Sequence, residues 1–288
     1  MAYTKLIPHF TPSARVDEIS SESSHYLLTI PPGKADKYRV AQLDDYPQLS
    51  RGQFPHRFRE GPSLPLRTSL SLSARTSSDS IPGTWGFGLW NDPFGFSLGY
   101  GGKPFCLPAL PNAVWFFGAS EENYLSFKEP FRPLRSEAQS KGASTTDGAS
   151  TAPSFAQRGN VANGFLAQSF RSPKFHPMLI LAGLALPFSR KLTRRLMSKV
   201  IAEEGVALSV DVTQWHRYRL KWSLKRVSLE VDEAQVFEAD VSPNPPLGLV
   251  IWIDNQYAAF TPEGKIGFGV LENPEPAWLE VKDIEMSL

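Results

Sequence analysis

The sequence predicts an all-β protein, an antiparallel β-sandwich with one inserted amphipathic helix. Three observations carry this. Residues 66–75 and 215–222 alternate apolar and polar side chains with the period of two that a half-buried strand requires. The 25 prolines and 21 glycines among 288 residues favour many turns between short strands. Only 175–205 carries a helical signal.

Taken in order, residues 1–60 are polar with scattered strand-like pieces, His25–Ile30 and Tyr38–Leu43 among them. In 66–75, Leu66, Thr68, Leu70, Leu72 and Ala74 share one face. Gly83–Trp90 follows, its glycines permitting close backbone approach and its aromatic rings supplying area, with a turn at Asn91-Asp92-Pro93. Ala113–Gly118 is the next apolar strand, and Asn123–Phe127 is expected to continue its sheet. Residues 134–160 are small and polar, without periodicity, and are expected to form a mobile loop within one domain spanning 1–288.

The apolar run Phe175–Phe188 is too short to cross a bilayer. Ser189 is placed to cap a helix from Arg190, in which Leu192, Leu196 and Val200 recur on one side and Arg190, Lys191, Arg194, Arg195 and Lys199 cover the rest. The helical insertion is expected near 176–204. It is read as packed on the sandwich, as a lid over a groove, or, through 188–204, as a peripheral membrane contact.

A net charge of +1 gives no global field toward nucleic acid, which is not expected as a partner. The single cysteine, Cys106, excludes a disulfide within the chain and a cysteine-rich zinc site. The first residues contain no apolar run, so a cytoplasmic location is expected. The five histidines show no metal-ligand spacing, and neither a nucleophile elbow nor a phosphate loop is present.

Trp215-His-Arg-Tyr-Arg-Leu-Lys-Trp222 alternates cleanly, turns at 223–226 into Val227–Val231, and turns again at Asp232-Glu233 into Gln235–Glu238, a β-meander. With Pro246–Asp254 and the closing Trp278–Met286, this pattern resembles the family 16 glycoside hydrolases and the wider concanavalin A-like lectin/glucanase superfamily. One departure is Glu233, where that family usually has glycine. The resemblance implies a jelly-roll sandwich with a concave groove for sugar. It also implies a catalytic strand reading Glu-x-Asp-x-x-Glu, because a retaining glycosidase needs two carboxylates roughly 5 Å apart. The strand in that place is Ala113-Val-Trp-Phe-Phe-Gly118, without a carboxylate, and the motif occurs nowhere in the chain.

The leading expectation is therefore a carbohydrate-binding or atypical glycan-active sandwich with an oligosaccharide partner. Its ligand candidates are Trp90, Asn91, Asp92, Trp115, Asp254, Asn255 and Tyr257. Asp254 and Asn255 are placed to bond sugar hydroxyls, the plain alternative being a strand-end turn with Asn255 left-handed. The second expectation is a hydrolase or lyase with relocated carboxylates, Asp254, Glu121 or Glu122, beneath the helical insertion. The third is a partner- or membrane-surface-binding protein acting through the basic helix. No cofactor is expected, except that the resemblance admits a structural calcium at Asp283.

Overall fold

The structure, a computed structural model, describes residues 6–45, 67–91, 110–127, 156–157, 162–173, 176–245 and 247–287. Asp92 and the expected loop, apart from 156–157, lie outside the described residues.

Two antiparallel sheets pack as a sandwich. The strands are β1 (Ile7–Phe10), β2 (Arg15–Ser20), β3 (His25–Ile30), β4 (Val40–Asp44), β5 (Arg67–Thr76), β6 (Thr84–Trp90), β7 (Ala113–Ala119), β8 (Ala156–Gln157), β9 (Gly164–Arg171), β10 (Ala202–Leu208), β11 (His216–Ser223), β12 (Val227–Val231), β13 (Ala234–Ala239), β14 (Gly248–Asp254), β15 (Gln256–Phe260), β16 (Ile266–Val270) and β17 (Ala277–Ser287). One sheet runs β1-β4-β14-β6-β7-β9-β10-β8, the other β13-β12-β11-β5-β17-β3-β2, and β15-β16 forms a separate ribbon.

The core lies between the sheets because alternation sends every second side chain inward. From the eight-stranded sheet come Leu43, Phe87, Leu89, Phe116, Leu249 and Ile251; from the other come Leu28, Leu70, Leu72, Leu220, Trp222 and Leu279. Thr68, Leu70, Leu72 and Ala74 are buried along one face of β5, as the sequence pattern requires. The meander forms as expected, with β11 paired to β12 and β12 to β13. Its Asp232-Glu233 turn places both residues in the left-handed region, at φ 48° and 68°. This is the geometry of a two-residue hairpin turn that favours glycine second. Asp232 compensates by accepting from the Arg217 backbone N–H at 2.8 Å and pairing with His216 Nδ1 at 2.6 Å.

Two expectations of structure are corrected. Residues 123–127 form no strand; Tyr124 makes a single parallel bridge to Ala259, and Asn123 instead closes a turn, its side chain donating to Gly83 O and accepting from Ala258 N. The insertion is two short helices rather than one long one: α1 (Pro177–Ala185) and α2 (Arg190–Met197). α1 starts with proline in its first turn and His176 as N-cap; Ser189 caps α2 as expected. α2 stops at Met197 because Ile201 buries itself on the eight-stranded sheet, and Ala202–Leu208 pairs with β9. Glu203, Glu204 and Gly205 thus lie in a strand.

Candidate functional site on the outer face of the eight-stranded sheet

The face of the eight-stranded sheet turned away from the sandwich core is built from cross-strand rows. One row reads His9, Gln42, Trp252, Gly86, Phe117, Leu166 and Ala207. The next reads Asp44, Val250, Gly88, Trp115, Gln168 and Gly205. Gly86 and Gly88 make room for the indoles. A Cβ on Gly86 would meet the Trp252 ring at 2.9 Å, and one on Gly88 would meet Trp115 Cα and Cβ at 2.6 Å. The result is an aromatic floor. Trp115 lies with its ring centroid 5.2 Å from Phe117, 5.7 Å from Trp252 and 5.6 Å from Trp90.

The β7–β9–β10 half of this face is roofed. Leu125, Phe127, Met197 and Ile201 pack on the aromatic cluster, and the Phe127 backbone N–H donates to Glu203 at 2.7 Å. The β1–β4–β14–β6 half carries polar groups around Trp252. Asp254 Oδ1 accepts from the Thr84 hydroxyl at 2.8 Å and from the backbone N–H groups of Thr84 and Gln256, and Oδ2 accepts from the Tyr38 hydroxyl at 3.3 Å. The Trp252 indole N–H donates to Thr84 Oγ1 at 3.0 Å, joining ring and carboxylate. Gln42 donates to Asp44 at 3.0 Å, and His9 Nε2 lies 3.5 Å from the same carboxylate. Asp44 and Asp254 are buried, whereas Tyr38 is 39% exposed and the His9 side chain 35%.

Burial raises the Asp254 carboxyl to about 6, against the lowering effect of its hydrogen bonds from Thr84, Gln256 and Tyr38. The protein thus holds three buried carboxyl groups, Asp44, Asp254 and Glu203, on the face its main core does not use. Buried ionisable groups are costly to fold and concentrate where they serve binding or chemistry.

Their spacing limits that chemistry. Asp254 pairs with Val40 and Val250 with Asp44, so these two carboxylates stand four residues apart along paired strands. At the rise of a strand this is ~13 Å. Glu203, two residues from the Gly205 end of the Asp44 row, is five strand spacings away, on the order of 20 Å. Among the described residues of this face, no two carboxylates stand at the roughly 5–10 Å that glycosidases use.

The sequence candidates divide accordingly. Asp254 belongs to the site. Trp115 is floor rather than ligand contact, 8% exposed, and its indole N–H has no hydrogen-bond partner among the described residues. Trp90 is half-buried against Trp115 on the same face. Asn91 donates from its amide to Leu110 O and accepts from the Asn112 backbone N–H, tying the end of β6 to the residues that lead into β7. Asn255 is fully buried and structural: it accepts from Arg39 N at 2.8 Å and donates to Lys37 O and Leu271 O. It is not among the residues with positive φ, so the left-handed turn expected there does not form. Tyr257 lies on the β15–β16 ribbon, its ring over Gly267 and Gly269. Glu121 and Glu122 are exposed on the turn after β7.

Asp283 is exposed at an irregularity of β17, with φ 55°, and borders a cleft of about 870 Å³ between the end of β17 and the β2–β3 edge. Among the described residues no group of three or more His, Cys, Asp or Glu side chains comes together as a metal site, so Asp283 has no calcium-type ligand set there.

Reading the sequence for motifs misses His9, Tyr38, Gln42, Asp44 and Thr84. The signal lies in β4, where Gln42 and Asp44 alternate with Ala41 and Leu43 in a strand buried at all five positions.

The outer face of the seven-stranded sheet also has an aromatic and charged patch. Arg75 lies over Trp215 (4.8 Å) and Trp278 (5.6 Å), and Glu280 is bonded by His25 at 2.8 Å and Arg75 at 2.7 Å. Arg75 and Glu280 thus satisfy each other, and Lys282 lies 4.4 Å from the Trp215 ring centroid.

No family model matches the chain, and no curated protein sequence matches it. Solved structures of similar overall shape include the alginate lyase AlyC3 in complex with dimannuronate, at 9% identity, covering 92% of this chain and 74% of that one with a TM-score of 0.41. LamAcat from Zobellia galactanivorans is 13% identical, with 92% and 80% covered and a TM-score of 0.42. A legume lectin-like domain from Entamoeba histolytica is 10% identical, with 97% and 89% covered and a TM-score of 0.42.

Proposed function

We propose that the outer face of β1, β4, β14 and β6 binds an oligosaccharide, and that the protein is a carbohydrate-binding sandwich. The observation that carries this reading is the set of polar side chains, the buried Gln42, Asp44 and Asp254 with the half-buried Thr84, gathered around Trp252 outside the sandwich core. A sugar ring presents hydroxyls that donate and accept, and an apolar C–H face. Tyr38 and His9 supply the accessible edge and the carboxylates and amide supply acceptors and a donor, while Trp252, 7% exposed, forms the floor beneath them. The two carboxyl groups that line this half-face favour neutral sugars over uronates or sulfated sugars.

Calorimetric titration with neutral and with uronate oligosaccharides tests this. The expected outcome is millimolar or tighter binding of a neutral glycan, reduced about tenfold in Tyr38→Ala and Gln42→Ala, an effect of the size of one lost hydrogen bond to sugar. Absence of heat with every neutral glycan, or preference for uronates, overturns it.

A second reading, that Asp254 is a single acid–base group acting on a bound glycan, is favoured by its raised pKa and its contact with the Tyr38 phenol. In that case Asp254→Asn abolishes turnover of the bound glycan while leaving its affinity within about twofold; unchanged turnover removes the reading.

A further inference from the structure

We infer that the α1–α2 hairpin docks on an anionic lipid surface. α1, PMLILAGLA, carries no charge, and only Ala182 of its nine residues is buried. Ile180, Leu181 and Leu184 are 57, 56 and 66% exposed, and Phe188 in the loop before α2 is 90% exposed. Leu186 and Leu192 are exposed beside them. Six of the twelve exposed large apolar side chains among the described residues thus fall within residues 180–192.

The charges around the cluster decide what covers it. Between Asp147 and Glu203 the sequence has no acidic residue, and residues 176–202 contain five Lys and Arg. One of them, Arg194, is buried: its guanidinium donates to Phe260 O and to Ser126 O, and it lies 5.3 Å from the Tyr124 ring and 5.7 Å from the Phe127 and Phe260 rings. That anchor holds α2 to the body of the protein. The remaining four, Arg190, Lys191, Arg195 and Lys199, are exposed. Glu263, on the neighbouring ribbon turn, has its carboxyl held low by its hydrogen bonds to Thr261 and its own backbone, with smaller contributions from Lys265 and Lys191.

Exposed Leu, Ile and Phe next to exposed Lys and Arg, on a rigidly anchored hairpin, match the two components of an interfacial membrane contact. The apolar tip enters the acyl boundary and the cations stay at the anionic headgroups. No described helix is long and apolar enough to cross a membrane, so the contact is with one face of the bilayer. The apolar surface lies on 180–188. α2 turns Thr193, Arg194 and Met197 to the protein and leaves Leu192 exposed, the reverse of the face expected from sequence, so the 188–204 segment supplies cations and its first exposed residues only.

The test is co-sedimentation of the full chain with vesicles of phosphatidylcholine alone and of phosphatidylcholine with phosphatidylglycerol. Binding to the anionic vesicles is expected, at least tenfold weaker on neutral ones, and weakened by raising salt from 0.1 to 0.5 M. The double variant Leu184→Ser, Phe188→Ser should lose at least tenfold in binding while keeping the wild-type unfolding midpoint, since both side chains are exposed. Absence of binding to both vesicles overturns the inference. So does a concentration-dependent dimer that the double variant dissolves, which would assign the patch to a second copy of the chain.

Discussion

Asp254 and Asn255 are neighbours in sequence with separate roles. Asp254 ends β14 on the outer face, beneath Tyr38 and beside Thr84; Asn255 turns inward and closes the loops around Lys37 and Leu271. The two predict different variants. Burial raises the Asp254 pKa to about 6, so the folded protein holds that proton more tightly than the unfolded chain. The stability this provides is complete below about pH 4 and is lost as pH rises through 6. A rise from 3.8 to about 6 corresponds to roughly 3 kcal/mol between the two limits. Unfolding midpoints in urea between pH 4 and 7.5 should therefore fall for the wild type and flatten in Asp254→Asn. Asn255→Ala removes the acceptor for Arg39 N and the donors to Lys37 O and Leu271 O, and should cost roughly 2–4 kcal/mol at any pH in the same assay. At the meander turn, Glu233 sits at φ 68° where glycine is strain-free. Glu233→Gly should stabilise by ~1 kcal/mol, read as a higher urea midpoint.

The elements show how much of the molecule is legible in the sequence. The strands with strict alternation, β5, β11 and β12, fall where the pattern puts them, because one buried face fixes register residue by residue. β6 and β7 are also legible: Ala113–Ala119 is a central strand buried at every position. The end of α2 is not legible, since Leu192, Leu196 and Val200 keep a helical spacing past Met197. What stops the helix is tertiary, the burial of Ile201 and the pairing of 202–207 with β9. The binding half of the outer face is equally hidden, because its residues come from β1, β4, β6 and β14, brought together only by pairing across the sheet. Two variants test the element-level account. Gly88→Ala places a Cβ within 2.4 Å of Val114 O and 2.6 Å of the Trp115 backbone, so backbone has to move. It should cost on the order of 3 kcal/mol. Arg194→Met keeps the volume of the anchor but leaves Phe260 O and Ser126 O without their guanidinium donors, and should cost roughly 2–4 kcal/mol in urea unfolding.

At the scale of the whole molecule, one sheet face makes the core and the opposite face of the eight-stranded sheet is divided. Its β9–β10 half is closed by the chain's own Phe127, Met197 and Ile201. Its β1–β4 half keeps Tyr38 and His9 at the surface above buried acceptors. Carboxylates ~13 Å apart suit gripping hydroxyls along a chain of sugars better than acting together on one glycosidic bond. The central claim is that this half-face is the sugar site. It is tested most directly by following the indole N–H resonances of the seven tryptophans during titration with neutral oligosaccharides. The account predicts a saturable shift of the Trp252 resonance, whose N–H is bonded to Thr84 beside Asp254, and its loss in Tyr38→Ala. Shifts confined to Trp215 and Trp278 on the opposite sheet, or no shift at millimolar sugar, would contradict it.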